Sequence, residues 1–115
     1  MADCIFCRIV AKQIPSKLVF ESERLIAFRD IAPKAPTHIL IVPKEHLATV
    51  NDFKAGHKDL VGEMIMAAAQ IAAKEGIAER GYRLTFNCNA EAGQVVFHVH
   101  LHLMGGWGRR ERMEM

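Results

Sequence analysis

No apolar stretch in this 115-residue chain approaches the ~20 residues that a membrane-spanning helix needs. A dominating charge is also lacking: 15 Lys and Arg face 13 Asp and Glu, a net charge of +2. The basic side chains are scattered rather than grouped, so a nucleic-acid-binding face is not expected. Cysteine is scarce and odd in number, three in all, which suits a reducing cytoplasm better than a disulfide scaffold. The opening Met1-Ala2-Asp3-Cys4 has no basic stretch leading into an apolar one, so no secretory leader is expected. Repeats and low-complexity tracts are missing too. What remains is an ordinary globular composition, 50% hydrophobic and 24% charged, in a length that suits one domain with a real core.

Periodicity divides the chain into short elements. Ile5, Phe6, Ile9 and Val10 give residues 4–12 the spacing of a short amphipathic helix, stopped near Pro15. Residues 17–21 and 24–29 read as two strands around a tight turn at Ser22-Glu23. Pro33 and Pro36 mark 30–37 as a loop, and the β-branched run 38–42, ended by Pro43, reads as a central strand buried on both faces. Leu60, Val61, Met64, Ile65, Ala68, Ile71 and Ala72 recur at three and four, predicting one long helix over 56–74, closed by Gly76. A fourth strand is expected over 82–88, with Cys88 an inert core thiol within it; His57 is expected in the first turn of the long helix, solvated. Trp107 after Gly105-Gly106 suits either a partner contact or the edge of the core, and the charged tail 108–115 is expected to be mobile. Five strands and a long helix without βαβ alternation predict an α+β domain with an antiparallel sheet.

The most informative segment is His98-Val99-His100-Leu101-His102. On an extended strand all three imidazoles project from one face, near enough to share a small ligand, while Phe97, Val99, Leu101 and Leu103 take the core side. Imidazole serves as metal ligand, general acid or base, or nucleophile toward phosphorus. A set of satisfied core histidines and a three-histidine metal site are the competing readings. The loop upstream favours an anion: Gly93 permits close backbone approach, and the amides of Val95 and Val96 suit an anion beside the rings. Asp30, before a proline loop, reads either as a turn initiator or as an acceptor for paired hydroxyls. Cys4-x-x-Cys7 reads as half of a tetrahedral zinc set, as a redox pair (no thioredoxin-like βαβ follows it), or as two plain thiols on a short helix.

Several motifs coincide with one known family. His98-Val99-His100-Leu101-His102-Leu103-Met104 resembles the H-φ-H-φ-H-φ-φ signature (φ hydrophobic) of the histidine triad superfamily. Ala92-Gly93-Gln94-Val95-Val96-Phe97 resembles the G-G-Q-x-V-Y lead-in of its HINT branch. Asp30-Ile31-Ala32-Pro33-Lys34-Ala35-Pro36-Thr37-His38 resembles that branch's D-I-S-P-Q-A-P-T-H stretch. Ile14-Pro15-Ser16, Val42-Pro43-Lys44 and Gly81-Tyr82-Arg83-Leu84 also match, so the likeness runs from residue 4 to about 106.

The resemblance implies a five-stranded antiparallel sheet with one long and one short helix, extended by two-fold dimerisation. It implies a hydrolase that cleaves purine nucleoside phosphoramidates to the nucleoside monophosphate through nucleotidyl-His100. In that scheme the His98 carbonyl orients His100, and His102 contacts a phosphate oxygen and, as an imidazolium, stabilises its charge. His38 supports proton transfer. Asn87, Gly93, Gln94, Val95 and Val96 complete the anion site, Asp30 binds the ribose hydroxyls, and Ile5, Phe6, Ile9, Phe28 and Ile31 surround the base. Members with the N-terminal cysteine pair bind a structural zinc through positions matching Cys4, Cys7, His46 and His98, and no cofactor is required for catalysis. This chain departs from the branch in three places: Val95 stands where a serine contacts phosphate, Glu91-Ala92-Gly93 replaces a paired glycine, and the tail 108–112 does not match. A dinucleoside polyphosphate hydrolase or nucleotidyltransferase of the same superfamily, and a non-catalytic nucleotide-binding module, stay open as alternatives.

Overall fold

The computed structural model describes residues 4–108; most of the charged tail lies outside the described residues. Helix α1 (Ile5–Val10) is capped by Cys4, whose Sγ accepts the Cys7 N–H, and it buries Phe6 and Ile9. Strands β1 (Leu18–Glu21) and β2 (Leu25–Arg29) form a hairpin, and β3 (Thr37–Pro43) returns beside β2. Helix α2 (Lys58–Lys74) then crosses to β4 (Tyr82–Phe86) and β5 (Leu101–Gly105). The result is one five-stranded sheet in the order β1-β2-β3-β5-β4, antiparallel at every pairing. The expected α+β class, with one long and one short helix, is what the chain adopts.

Strand alternation sorts the core into two layers. Leu25, Ala27, Ile39, Ile41, Leu101 and Leu103 face α2, meeting Leu60, Met64, Ala68 and Ile71. Ile26, Phe28, Leu40 and Val42 take the other face, where Phe6 and Ile9 of α1 cover them. The central strand is thus buried on both faces, as its unbroken β-branched run requires.

Four local expectations need correction. Helix α2 begins at Lys58, not residue 56, because Ala55–His57 forms a 3-10 turn in which His57 Nδ1 accepts the Lys54 N–H at 2.9 Å. His57 is accordingly a half-buried capping residue, with Nε2 at 3.3 Å from Glu45. The apolar stripe of α2 is narrower than its sequence suggests, since Ile65 is 40% exposed. Strand β4 stops at Phe86, so Cys88 sits half-buried beyond it rather than inside a strand.

The histidine segment differs most. Strand β5 starts at Leu101, so only His102 lies within the ladder. Continuing the β3–β5 register, in which Ile41 faces Leu101, would set Val99 opposite Pro43. Proline has no N–H to donate, so the ladder ends there. The Val99 N–H turns instead to the Leu47 carbonyl at 2.6 Å. Val99, Leu101 and Leu103 are buried as expected, but Phe97 is 43% exposed.

Candidate active site

The end of the ladder sets the chemistry of His98 and His100. Pro43, paired with Leu25 of β2 but with no ladder partner in β5, presents its carbonyl to His98 Nε2 at 2.8 Å. A carbonyl only accepts, so Nε2 carries the proton and Nδ1 keeps its lone pair. His100 Nδ1 in turn donates to the His98 carbonyl at 2.8 Å, which leaves Nε2 of His100 unprotonated in the neutral ring. Burial pushes the His100 pKa down, so that neutral ring is the resting form at pH 7. Phe6 packs edge-on against the His100 ring at a centroid distance of 5.1 Å, holding its plane.

A second chain of hydrogen bonds fixes His102. The Lys34 amide donates to His38 Nδ1 at 3.0 Å, so the neutral His38 ring carries its proton on Nε2. That Nε2–H faces His102 Nδ1 at 2.9 Å. His102 is left with its own proton on Nε2. Burial above all, then the neighbouring His100 and His38, hold the His102 pKa at about 4. His38 is also lowered, by burial, against the raising effect of Asp30. The imidazolium expected at His102 is therefore absent from the free protein at neutral pH, and its place is taken by a neutral N–H donor. The ring centroids of His100 and His102 lie 4.8 Å apart, with the ring planes tilted by 59°.

Asp30 closes the loop that carries the Lys34 amide. Its Oδ1 accepts the Ala32 N–H at 2.9 Å, and its Oδ2 lies 3.5 Å from His38 Nε2. Asp30, Ile31 and His38 line a cleft of about 570 Å³ together with Ser16, Lys17 and Arg29. Arg29 itself makes a two-point ion pair with Glu75, at 3.0 and 2.8 Å.

The loop before the histidines is braced from within. Gln94 is buried; its Oε1 accepts the Asn89 N–H at 2.7 Å, and its Nε2 donates to the Ala48 and Val96 carbonyls at 2.8 and 3.1 Å. Both donors and the acceptor of this side chain are engaged, and its backbone N–H donates to the Asn89 carbonyl at 3.1 Å, so Gln94 braces the loop. Gly93 turns at φ +91°, a left-handed conformation that glycine tolerates without penalty. Val95 is 86% exposed beyond it, Val96 packs on the α1-side core, and Asn87 is half-buried just past β4. Of the apolar residues expected around a base, Phe6, Ile9 and Phe28 are buried, whereas Ile5 is exposed and Ile31 is 97% exposed beside Asp30.

The lone pair of His98 Nδ1 points away from His100, into a separate cluster. It lies 3.3 Å from Cys4 Sγ, 3.6 Å from Cys7 Sγ and 3.2 Å from His46 Nδ1, while Cys7 Sγ lies 3.3 Å from His46 Nδ1. A tetrahedral ion with bonds of about 2.0–2.3 Å sets its ligand atoms roughly 3.3–3.8 Å apart. The four residues match that size and are two thiols and two imidazoles, a zinc donor set. His98 also makes the outer hydrogen bond, to Pro43, that orients a metal-binding imidazole. The three-histidine metal site is overturned. Among the described residues, the groupings able to hold an ion pair His98 with the cysteines and His102 with Asp30 and His38, never the three triad rings together.

Sequence reasoning missed the backbone groups that select tautomers: the Pro43 carbonyl and the Lys34 amide. Lys34 belongs to the matched stretch that ends at His38, but no residue type marks an amide as the one that will meet a ring.

The family model described as HIT domain matches residues 11–109. The chain is 52% identical over 104 residues to a purine nucleoside phosphoramidase of Escherichia coli, covering 90% of this chain and 87% of that one. Among solved structures, a HIT family hydrolase from Clostridium thermocellum superposes with a TM-score of 0.93 at 43% identity, covering 99% of both chains. A HIT family hydrolase from Legionella pneumophila gives 0.90 at 48% identity, over 91% of this chain and 94% of that one. With two imidazoles set by backbone partners, and with matches that span nearly the whole fold, the chain belongs to the HIT domain family.

Proposed function

We propose that this protein hydrolyses purine nucleoside phosphoramidates in two steps through a covalent nucleotidyl-His100. The observation that carries the reading is the His100 ring, whose Nδ1 donates to the His98 carbonyl and leaves Nε2 unprotonated, packed beside the ring of His102. The His100 lone pair attacks the α-phosphorus as the P–N bond to the amine breaks. The departing amine takes its proton from solvent water, while the neutral Nε2–H of His102, held by His38, hydrogen-bonds the phosphoryl oxygen. Water then attacks phosphorus, gives up its proton to solvent, restores His100 and releases the monophosphate. Asp30 takes the ribose hydroxyls at the cleft, and the loop supplies the backbone N–H groups of Val95 and Val96 to the phosphate, those of Gly93 and Gln94 being donated within the loop. The phosphoramidase named among the relatives supports this leaving group. Acid quenching during turnover of an adenosine phosphoramidate is expected to leave a nucleoside monophosphate adduct on the His100 peptide by mass spectrometry. Turnover with no adduct at early times excludes the covalent path. Higher kcat/KM for a diadenosine polyphosphate than for the phosphoramidate would reassign the leaving group.

Cys4, Cys7, His46 and His98 are read as the ligands of a structural zinc, which when bound ties α1 to the segment after β3 and plays no part at phosphorus. Protein purified without added metal is expected to contain about one zinc per chain, lost in Cys4→Ser; a metal-free native protein refutes this assignment.

The protein is further read as a two-fold dimer in the cytoplasm. Strand β4 is a sheet edge, and Ile65 and Met66 leave apolar surface on the outer side of α2. Sedimentation at micromolar concentration is expected to give the dimer mass, and a monomer there rejects it. Cys4, Cys7 and Cys88 are all free thiols, which suits a reducing compartment. Among the described residues, no helix is long and apolar enough to cross a membrane.

A further inference from the structure

The nucleophile is aimed by a peptide group that the sheet does not hold. His100 Nδ1 donates to the His98 carbonyl, yet β5 begins only at Leu101. Between the loop and that strand, the backbone is anchored by the bond from Val99 N–H to the Leu47 carbonyl. The orientation of the His98 peptide must therefore come largely from the His98 side chain. That ring is fully buried and gripped at both nitrogens, by the Pro43 carbonyl on Nε2 and by Cys4, Cys7 and His46 around Nδ1. The His46 and His98 rings meet edge-to-face at 4.8 Å.

A second path joins the same cluster to the nucleophile. Phe6 lies between the two cysteines on α1, so whatever fixes Cys4 and Cys7 fixes Phe6. Phe6 packs on both His98 and His100, at centroid distances of 6.0 and 5.1 Å, and is backed by Phe28 at 5.4 Å. The cluster thus reaches His100 through the backbone on one side and through an aromatic ring on the other.

We propose that His46, with Cys4 and Cys7, is a positioning residue for His100, acting through the ring and carbonyl of His98. The proposal rests on the reading of His100 as nucleophile. A merely structural cluster changes how much protein is folded, whereas a positioning cluster changes the rate per folded molecule. Loss of aim at the reacting nitrogen lowers kcat while Asp30 and the cleft at the ribose end still bind substrate.

The test compares His46→Ala with His46→Cys, which restores a zinc-binding donor at the same place. Zinc content and the urea midpoint are measured on each. His46→Ala is expected to lower kcat by roughly 10–100-fold, the effect usual for partners that orient a site, with KM changed by less than about 3-fold. His46→Cys should recover most of kcat. Independently of activity, 15N spectra of the His100 ring should show one tautomer, protonated at Nδ1, in the parent protein and a mixture in His46→Ala. If His46→Ala loses the fold, His46→Gln, which keeps bulk and a polar tip, takes its place in every measurement. A zinc-free variant with unchanged kcat and an unchanged His100 spectrum overturns the proposal. So does a loss confined to KM or accounted for by the unfolded fraction. Full turnover in His100→Ala would instead remove the nucleophile reading, and the His100 spectra would still report whether the cluster orients that segment.

Discussion

His100→Ala is expected to lower kcat for an adenosine phosphoramidate by at least ~10³-fold, with affinity for the nucleoside monophosphate changed only a few-fold. The asymmetry follows from where the parts lie. On the proposed mechanism the ring of His100 supplies the lone pair that attacks phosphorus, whereas ribose and phosphate contacts come from Asp30 and the amides of Val95 and Val96. Without the imidazole, water must displace the amine directly, and the neutral Nε2–H of His102 stabilises charge but forms no bond to phosphorus. The rest of the site should survive, because His102 is set by His38 and Lys34 rather than by His100. Single-turnover kinetics with calorimetric binding of the monophosphate measure both quantities. Retention of more than a tenth of the parent kcat would show that His100 is not the bond-forming group.

Acid is expected to unfold the protein well before its carboxylates are protonated. The His102 pKa is about 4 in the fold, held there chiefly by burial, against about 6.5 in the unfolded chain. For a histidine depressed in this way the unfolded state binds more protons between those values, so stability rises with pH across that window. The contribution is complete above pH 6.5 and is lost as pH falls toward 4. One such group contributes up to about 1.4 kcal/mol per pH unit, and about 2–3 kcal/mol across the window. His38 is lowered in the same direction. Asp30 and the Lys34 amide are the polar neighbours of this pair; Asp30 opposes the shift and the charge on Lys34 reinforces it. Urea midpoints at pH 7.5, 6.0 and 4.5 should decline chiefly over the step from 6.0 to 4.5, and His102→Gln should flatten that decline. A flat midpoint down to pH 4.5 would mean that these rings are solvated and ordinary.

Much of this protein is legible without coordinates because its elements announce themselves locally. The run at 38–42 is β-branched without interruption, as a strand covered on both faces must be. The three- and four-residue recurrence in α2 finds Leu60, Met64, Ala68, Ile71 and Ala72, all buried. The spacing of the histidines places His100 and His102 on one side, with adjacent rings. Errors cluster where a backbone group competes with the local pattern. Pro43 ends the ladder that alternation would have carried through residue 98, and a 3-10 turn at Ala55–His57 takes the place of the first helical turn.

By itself the sequence determined the layers, the faces of the strands and which imidazoles and thiols are available for chemistry, because side-chain period and turn chemistry act over a few residues. Only the tertiary structure decided how the three histidines divide their work. One ring turns to Cys4, Cys7 and His46, one keeps a free lone pair, and one presents a proton. That division depends on which carbonyl or amide each ring nitrogen meets, and backbone groups are chemically alike in every residue except proline. Their identity at the site is set by strand register and by contacts such as His98 with Pro43, between residues far apart in the chain.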